Sequence, residues 1–142
     1  MLDIILLAGF GVFVLFGFVV FFGPPFLPTM KAPAKTALDM LDLKPGQTLL
    51  ELGAGDGRVM LAAAKRGARV VGIELSPVLV LVARLRCWRY RKQVTVLWGN
   101  YLTKPWPPAD AVFTFALPRL MPKLDARLAA WRTKPTLFAS YA

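Results

Sequence analysis

Eleven residues, Leu49-Leu50-Glu51-Leu52-Gly53-Ala54-Gly55-Asp56-Gly57-Arg58-Val59, constrain the fold more than any others in this 142-residue chain. An apolar run ends in a turn with glycine at every second position, and an alanine-rich helical stretch follows over 57–66, closed by Gly67. Glycine permits the tight turn and lets the backbone approach a ligand. A strand feeding a helix in this way opens a parallel crossover unit, and the rest of the chain repeats the alternation. Segments 48–52, 69–73, 94–98, 111–115 and 136–141 read as strands. Helical patterns begin at Ala34, where Ala34, Ala37, Leu38 and Leu41 share a face, and recur over 57–66 and 120–131. Ser76-Pro77 supplies an N-cap and a proline at the first helical position for a further helix running to about Tyr90. The expected fold is α/β: an open parallel sheet with helices on both faces and right-handed crossovers. Ligands of such sheets bind beyond the carboxyl ends of the strands, where the glycine turn falls.

The amino terminus is different in kind. Ile4 through Phe22 are 19 residues without a charge and contain six of the ten phenylalanines. A helix of that length spans roughly 28 Å, close to the hydrocarbon core of a bilayer. A signal peptide would begin with basic residues and end in a cleavable small-residue motif, whereas this segment begins Met1-Leu2-Asp3 and runs into Gly23-Pro24-Pro25-Phe26. Residues 3–22 are therefore expected to be an uncleaved transmembrane helix. Residues 23–33, with prolines at 24, 25, 28 and 33, form a stiff extended connector, and 34–142 form the domain. Lys31, Lys35 and Lys44 follow the helix and no basic residue precedes it, so the domain of this single-pass protein is expected on the cytoplasmic or matrix side.

Composition narrows the chemistry. The net charge is +10 while hydrophobic residues make up 56%, which excludes a disordered polycation. Histidine is absent, which excludes a histidine base, a Ser-His-Asp triad and histidine-ligated zinc. The single cysteine, Cys87, excludes a disulfide scaffold and a cysteine-rich metal site, and reads as a small buried apolar residue. No metal is expected.

Glu74 stands at the end of the second strand, 21 residues after Gly53. An acid there accepts hydrogen bonds from the ribose hydroxyls of an adenosine ligand. Dinucleotide sites favour Gly-x-Gly-x-x-Gly, which leaves room for a pyrophosphate. Here Glu51 and Asp56 crowd a Gly-x-Gly-x-Gly turn, an arrangement that repels pyrophosphate and suits an ammonium or sulfonium. The helix start offers N–H groups to a carboxylate.

Leu49 to Val59 resembles motif I of the class I S-adenosylmethionine-dependent methyltransferases, and Glu74 resembles their motif II acid. The resemblance implies a Rossmann-like sheet and S-adenosyl-L-methionine as cofactor. It places Glu51, Gly53, Ala54, Gly55, Asp56, Gly57, Glu74 and Leu75 around that cofactor, with Asn100 and Tyr101 at the adenine through the carboxamide oxygen of Asn100, where many members carry aspartate. Over a longer stretch, Pro25 to Lys31, Gly72 to Arg89 and Phe115 to Leu124 are similar to the membrane-anchored lysine N-methyltransferases of mitochondria that modify the c-ring protein of ATP synthase and the adenine nucleotide carrier. That implies a lysine of a membrane protein as substrate. Tyr101, Phe115 and Pro118 are then candidate walls of the lysine pocket. A lysine must be neutral to attack, and a dry pocket beside a cation lowers its pKa. Family members add two strands after the fifth, so a chain ending at Ala142 on an apolar strand is expected to be C-terminally short.

Arg84, Arg86, Arg89, Arg91 and Lys92, interleaved with Trp88 and Tyr90, form a basic run. It suits anionic lipid headgroups, a solvated helix face or stacked bases, and the resemblance points away from nucleic acid. Two other functions stay open at this point: an RNA methyltransferase, and a non-catalytic, membrane-tethered module that binds an adenosine ligand.

Overall fold

The computed structural model describes residues 1–22 and 31–141, with side chains in the first helix described only as far as Val14. The chain runs α1 (Leu2–Phe22), α2 (Lys31–Leu41), β1 (Thr48–Leu52), α3 (Arg58–Lys65), β2 (Arg69–Glu74), α4 (Pro77–Arg86), a 3-10 turn (Trp88–Tyr90), β3 (Val94–Trp98), β4 (Ala111–Phe115), a second 3-10 turn (Pro118–Leu120), α5 (Met121–Trp131) and β5 (Leu137–Tyr141). The five strands form one sheet in the order β3-β2-β1-β4-β5, every pair parallel. Parallel strands are covered on both faces and read as nearly unbroken apolar runs, as Thr48–Leu52 and Ala111–Phe115 do.

Alternation along the strands sorts two cores. Leu49, Val70, Val94, Val96 and Phe113 pack with α2, α3 and α4 on one face. Leu50, Leu52, Ile73 and Val112 face the other way, toward Leu124 of α5 and the β3–β4 connection. Helices thus cover both faces, as expected. The β3–β4 connection has no helix and is knitted by side chains instead. Trp106 Nε1 donates to the Tyr101 carbonyl at 2.7 Å, and Arg127 of α5 donates to the carbonyls of Leu102 and Lys104. Trp131 Nε1 donates to the Trp106 carbonyl at 3.1 Å, and the two indoles meet edge to face.

Local sequence explains most boundaries. α3 ends in a Schellman motif: Gly67, at φ +87°, donates to the Ala64 carbonyl while Ala68 donates to that of Ala63. The Ser76 side chain accepts from the Leu79 amide and opens α4 ahead of Pro77. That helix stops at Arg86, short of the expected Tyr90. Cys87 is buried, with its thiol against the Gly57 carbonyl, and the chain tightens into a 3-10 turn to reach β3.

Two further expectations change at the amino-terminal side. α2 begins at Lys31, so residues 31–33 of the expected extended connector are helical; Pro33 sits in the first turn, where its missing N–H costs nothing. Residues 23–30 lie outside the described residues. α1 is a helix, and Ile4, Phe10 and Phe13 on it are exposed. Among the described residues, no helix is long and apolar enough to cross a membrane. Residues 3–22 are thus helical as expected, while the expected transmembrane span finds no support in the fold. Among the described residues β5 pairs with β4 alone.

Candidate active site

The glycine turn is stitched to the end of β2. The amides of Gly53 and Ala54 both donate to the Ile73 carbonyl, at 2.9 and 3.1 Å, and the Gly57 amide donates to the Ala54 carbonyl. Gly55 N donates to Glu74 Oε2 at 2.8 Å, and Ser76 N donates to Glu74 Oε1 at 2.8 Å. Each oxygen of Glu74 is thereby fixed by a backbone amide and keeps acceptor capacity for a further donor. Four amides, those of Gly53, Ala54, Gly55 and Gly57, are engaged in holding the turn itself. Gly57 is required twice over. Its φ is +78°, and a Cβ there would lie 2.9 Å from the Ala83 Cβ, where α3 and α4 touch.

Glu51 lies on the α3 side of β1 and is 3% exposed. The Met60 amide, in the first turn of α3, favours its charged form, while Oε2 is buried with no partner. Burial pushes its pKa well above the ordinary value; the charges of Glu74 and Asp56 add to the rise, and the Met60 amide opposes it. Asp56 is held differently: its Oδ2 accepts from Arg58 Nε at 2.7 Å and from Arg86 of α4 at 2.5 Å. Part of its charge is therefore balanced within the protein.

Leu75, half-buried, accepts from Trp98 Nε1 at 2.9 Å and so ties the ends of β2 and β3. Asn100 Oδ1 accepts from the Leu102 amide at 2.8 Å, making a local turn. The oxygen that the sequence assigns to an adenine amine is partly engaged within the chain, with one lone pair remaining. Tyr101 is buried, its ring 3.7 Å from where a Cβ on Gly53 would lie, and its hydroxyl has no partner. Burial, and then Glu74, raise its pKa.

The structure therefore gathers Glu51, the glycine turn, Glu74 and Tyr101 at the carboxyl ends of β1 and β2. Phe115 ends β4 and Pro118 follows it, on the other side of β1 from Glu74, Phe115 half-buried and Pro118 exposed. Three contributors escape the sequence reading: the Ser76 amide, Arg86, and Thr114, whose buried hydroxyl donates to the Leu52 carbonyl at 3.0 Å. Thr114 is a lone hydroxyl in an apolar strand, a visible signal. Arg86 reaches Asp56 across 30 residues and leaves none. Among the described residues, no group of three or more His, Cys, Asp or Glu is placed to hold a metal ion. An acidic, mostly dry floor with spare acceptors suits a cationic ligand bearing hydroxyl donors.

Residues 51–142 match the family described as the ANTKMT methyltransferase domain. A lysine N-methyltransferase of Xenopus laevis, named for the c-ring protein of ATP synthase, is 36% identical over 110 residues, which is 73% of this chain and 46% of that protein. An adenine nucleotide translocase lysine N-methyltransferase of Mus musculus is 41% identical over 66 residues, 46% of this chain and 28% of that one. An RNA methyltransferase from Salinibacter ruber, solved with S-adenosyl-L-homocysteine, superposes with a TM-score of 0.75 at 32% identity, covering 80% of this chain and 76% of that chain. The chain spans about half the length, or less, of these curated relatives.

Proposed function

The chain belongs to the ANTKMT methyltransferase domain family, and on that premise we propose that it methylates a lysine side chain of a membrane protein with S-adenosyl-L-methionine as methyl donor. The observation that carries this reading is the pair of buried glutamates under the glycine turn. Glu74 holds two positioned oxygens at a strand end, and Glu51 holds an unpartnered oxygen below the turn. A ribose diol needs two acceptors and an ammonium needs a carboxylate, so the donor set fits this cofactor. Amides already engaged in the turn leave a pyrophosphate poorly served. Ala54, Gly55 and Leu75 contribute backbone shape, and Asn100 and Tyr101 close the adenine side. The cofactor, when bound, supplies a methyl group activated by its sulfonium.

The protein's part is to hold the reactants in line and keep water out, which can be worth roughly 7–11 kcal/mol in favourable cases. The attacking lysine must lose its proton, and a wall of buried Tyr101 and half-buried Phe115, with exposed Pro118 at its rim, would favour its neutral form. No histidine is needed for that step. The uncharged run from Ile4 to Phe22 would attach the protein to a membrane as a single-pass anchor at 3–22, ahead of residues 23–30 and of a domain facing the cytoplasm or matrix. A substrate lysine in a membrane protein would then lie within reach.

Isothermal titration of the full chain with S-adenosyl-L-methionine tests the cofactor assignment. Binding is expected, and Glu74→Ala is expected to abolish it. A variant that binds like the wild type would overturn the assignment. Methylation of RNA is the second reading, favoured by the Salinibacter ruber neighbour and by the Arg91 guanidinium stacked 5.0 Å over the Trp88 ring. Ribonuclease sensitivity of a labelled product would decide for it.

A further inference from the structure

The outer face of α4 is built the wrong way round for water. Leu79, Val80, Ala83 and Cys87 point into the core. On the opposite side Val78, Leu81 and Leu85, spaced three and four residues apart, are 39%, 58% and 64% exposed. A surface helix normally turns charged residues outward. The apolar row continues beyond α4 into Trp88, 60% exposed, and is flanked by Trp98, 62% exposed. Trp98 shares the strand face of Val94 and Val96, so it belongs to the same side of the sheet as α4.

Charge around this row is of one sign. No acidic residue occurs between Glu74 and Asp110, while Arg84, Arg86, Arg89, Arg91, Lys92 and Lys104 do. Between the end of α4 and the edge strand β3 lies a groove of about 300 Å³, lined by Arg84, Trp88, Arg91 and Val94 to Val96 together with Cys87. Arg84 engages the Val96 carbonyl with one nitrogen, at 2.9 Å, and Arg91 lies over Trp88. Each guanidinium keeps donors for a further acceptor. Exposed aliphatics and tryptophans beside arginines with spare donors are what an interfacial, anionic lipid surface selects.

We propose that the α4–β3 face lies on an anionic phospholipid bilayer. Val78, Leu81, Leu85, Trp88 and Trp98 enter the headgroup layer, and Arg84 and Arg91 receive lipid phosphates in the groove. The choice of partner rests on the membrane-attached reading above; the surface itself does not. Its consequence is orientation. Trp98 is in register with Glu74, so the lipid-facing strip begins beside the cofactor edge and sets that edge against the bilayer, where a lysine of a membrane protein emerges.

Tryptophan fluorescence separates this surface from the amino-terminal helix, because the four tryptophans stand at 88, 98, 106 and 131 and none in 1–22. The full chain is mixed with neutral vesicles and with vesicles rich in phosphatidylserine or cardiolipin, each carrying brominated acyl chains. Flotation reports the anchor; quenching reports the α4–β3 face. Quenching is expected on anionic vesicles, reduced by high salt, lost in Trp88→Phe with Trp98→Phe, and unaffected by millimolar inorganic phosphate. Leu81→Ser and Leu85→Ser should each weaken it about tenfold in lipid concentration, with the melting temperature unchanged because both side chains are exposed. A chain that floats but shows no quenching on anionic vesicles overturns the proposal and leaves the anchor standing. A chain that fails to float on neutral vesicles yet is quenched on anionic ones does the reverse. Quenching by RNA in the absence of lipid, or a dimer dissolved by Leu81→Ser, would also overturn it.

Discussion

Two regions beside β2 contrast sharply. At its carboxyl end most charged groups are held: amides of the glycine turn and of Ser76 hold Glu74, and arginines hold Asp56, while Glu51 Oε2 and the Tyr101 hydroxyl stay buried without a partner. Along the α4–β3 face, aliphatic side chains and arginine donors are left facing outward. A region of fixed acceptors with spare capacity is built to hold a small ligand in one geometry. An outward region with apolar surface and one sign of charge is built to meet something large. Arg86 joins them: it leaves α4 to bind Asp56 in the glycine turn.

The largest effect that would break this contrast is at Glu74. Replacing it with alanine removes two charge-assisted hydrogen bonds and any to a ribose diol, so cofactor affinity should fall about 100-fold or more in a calorimetric titration. Gly57→Ala comes next. A positive φ and a 2.9 Å clash with Ala83 should cost roughly 2–4 kcal/mol of stability, read as a lowered denaturation midpoint. A Gly57→Ala protein as stable as wild type would mean that α3 and α4 do not meet at that turn.

Glu51 gives a pH signature. Its folded value is raised by burial and by Glu74 and Asp56. Its contribution to the stability of the ligand-free protein is therefore present below the ordinary glutamate value and is lost as the pH rises through the elevated one. A cationic ligand favours the carboxylate, so binding should release a proton and affinity should climb with pH. Titrations in two buffers of different ionisation enthalpy measure that release; equal heats would contradict it. A smaller effect lies at the start of β4. Asp110 accepts from Lys134 and from the Thr48 amide, which hold its carboxyl below the usual range. Its stabilisation is present above the ordinary aspartate value and fades as the pH falls through the lowered one. Asp110→Asn should therefore lower the melting temperature by a few degrees at neutral pH and by less in acid. Smallest of all on stability are Leu81→Ser and Leu85→Ser, expected within about 0.5 kcal/mol of wild type.

The legible parts of the fold are those written in local pattern. β1, β3 and β4 fall where their apolar runs stand, because buried parallel strands tolerate little else. Gly67 and Ser76-Pro77 fix helix ends through backbone geometry alone. The break at Cys87 was not legible, because a buried thiol against Gly57 is a tertiary contact. Asp56 is legible as an acid of the glycine turn, but its pairing with Arg86 of α4 is a tertiary contact that local sequence does not show. The outward row on α4 was hidden for another reason: Val, Leu and Ile look the same in sequence whichever side of a helix meets the sheet.

Methyl transfer to lysine is measured most directly by incubating the full chain with labelled S-adenosyl-L-methionine and a membrane fraction, then locating the label by mass spectrometry. The predicted result is label on a lysine of a membrane protein, absent with Glu74→Ala. Label in RNA, or cofactor binding with no transfer to any protein, would contradict it.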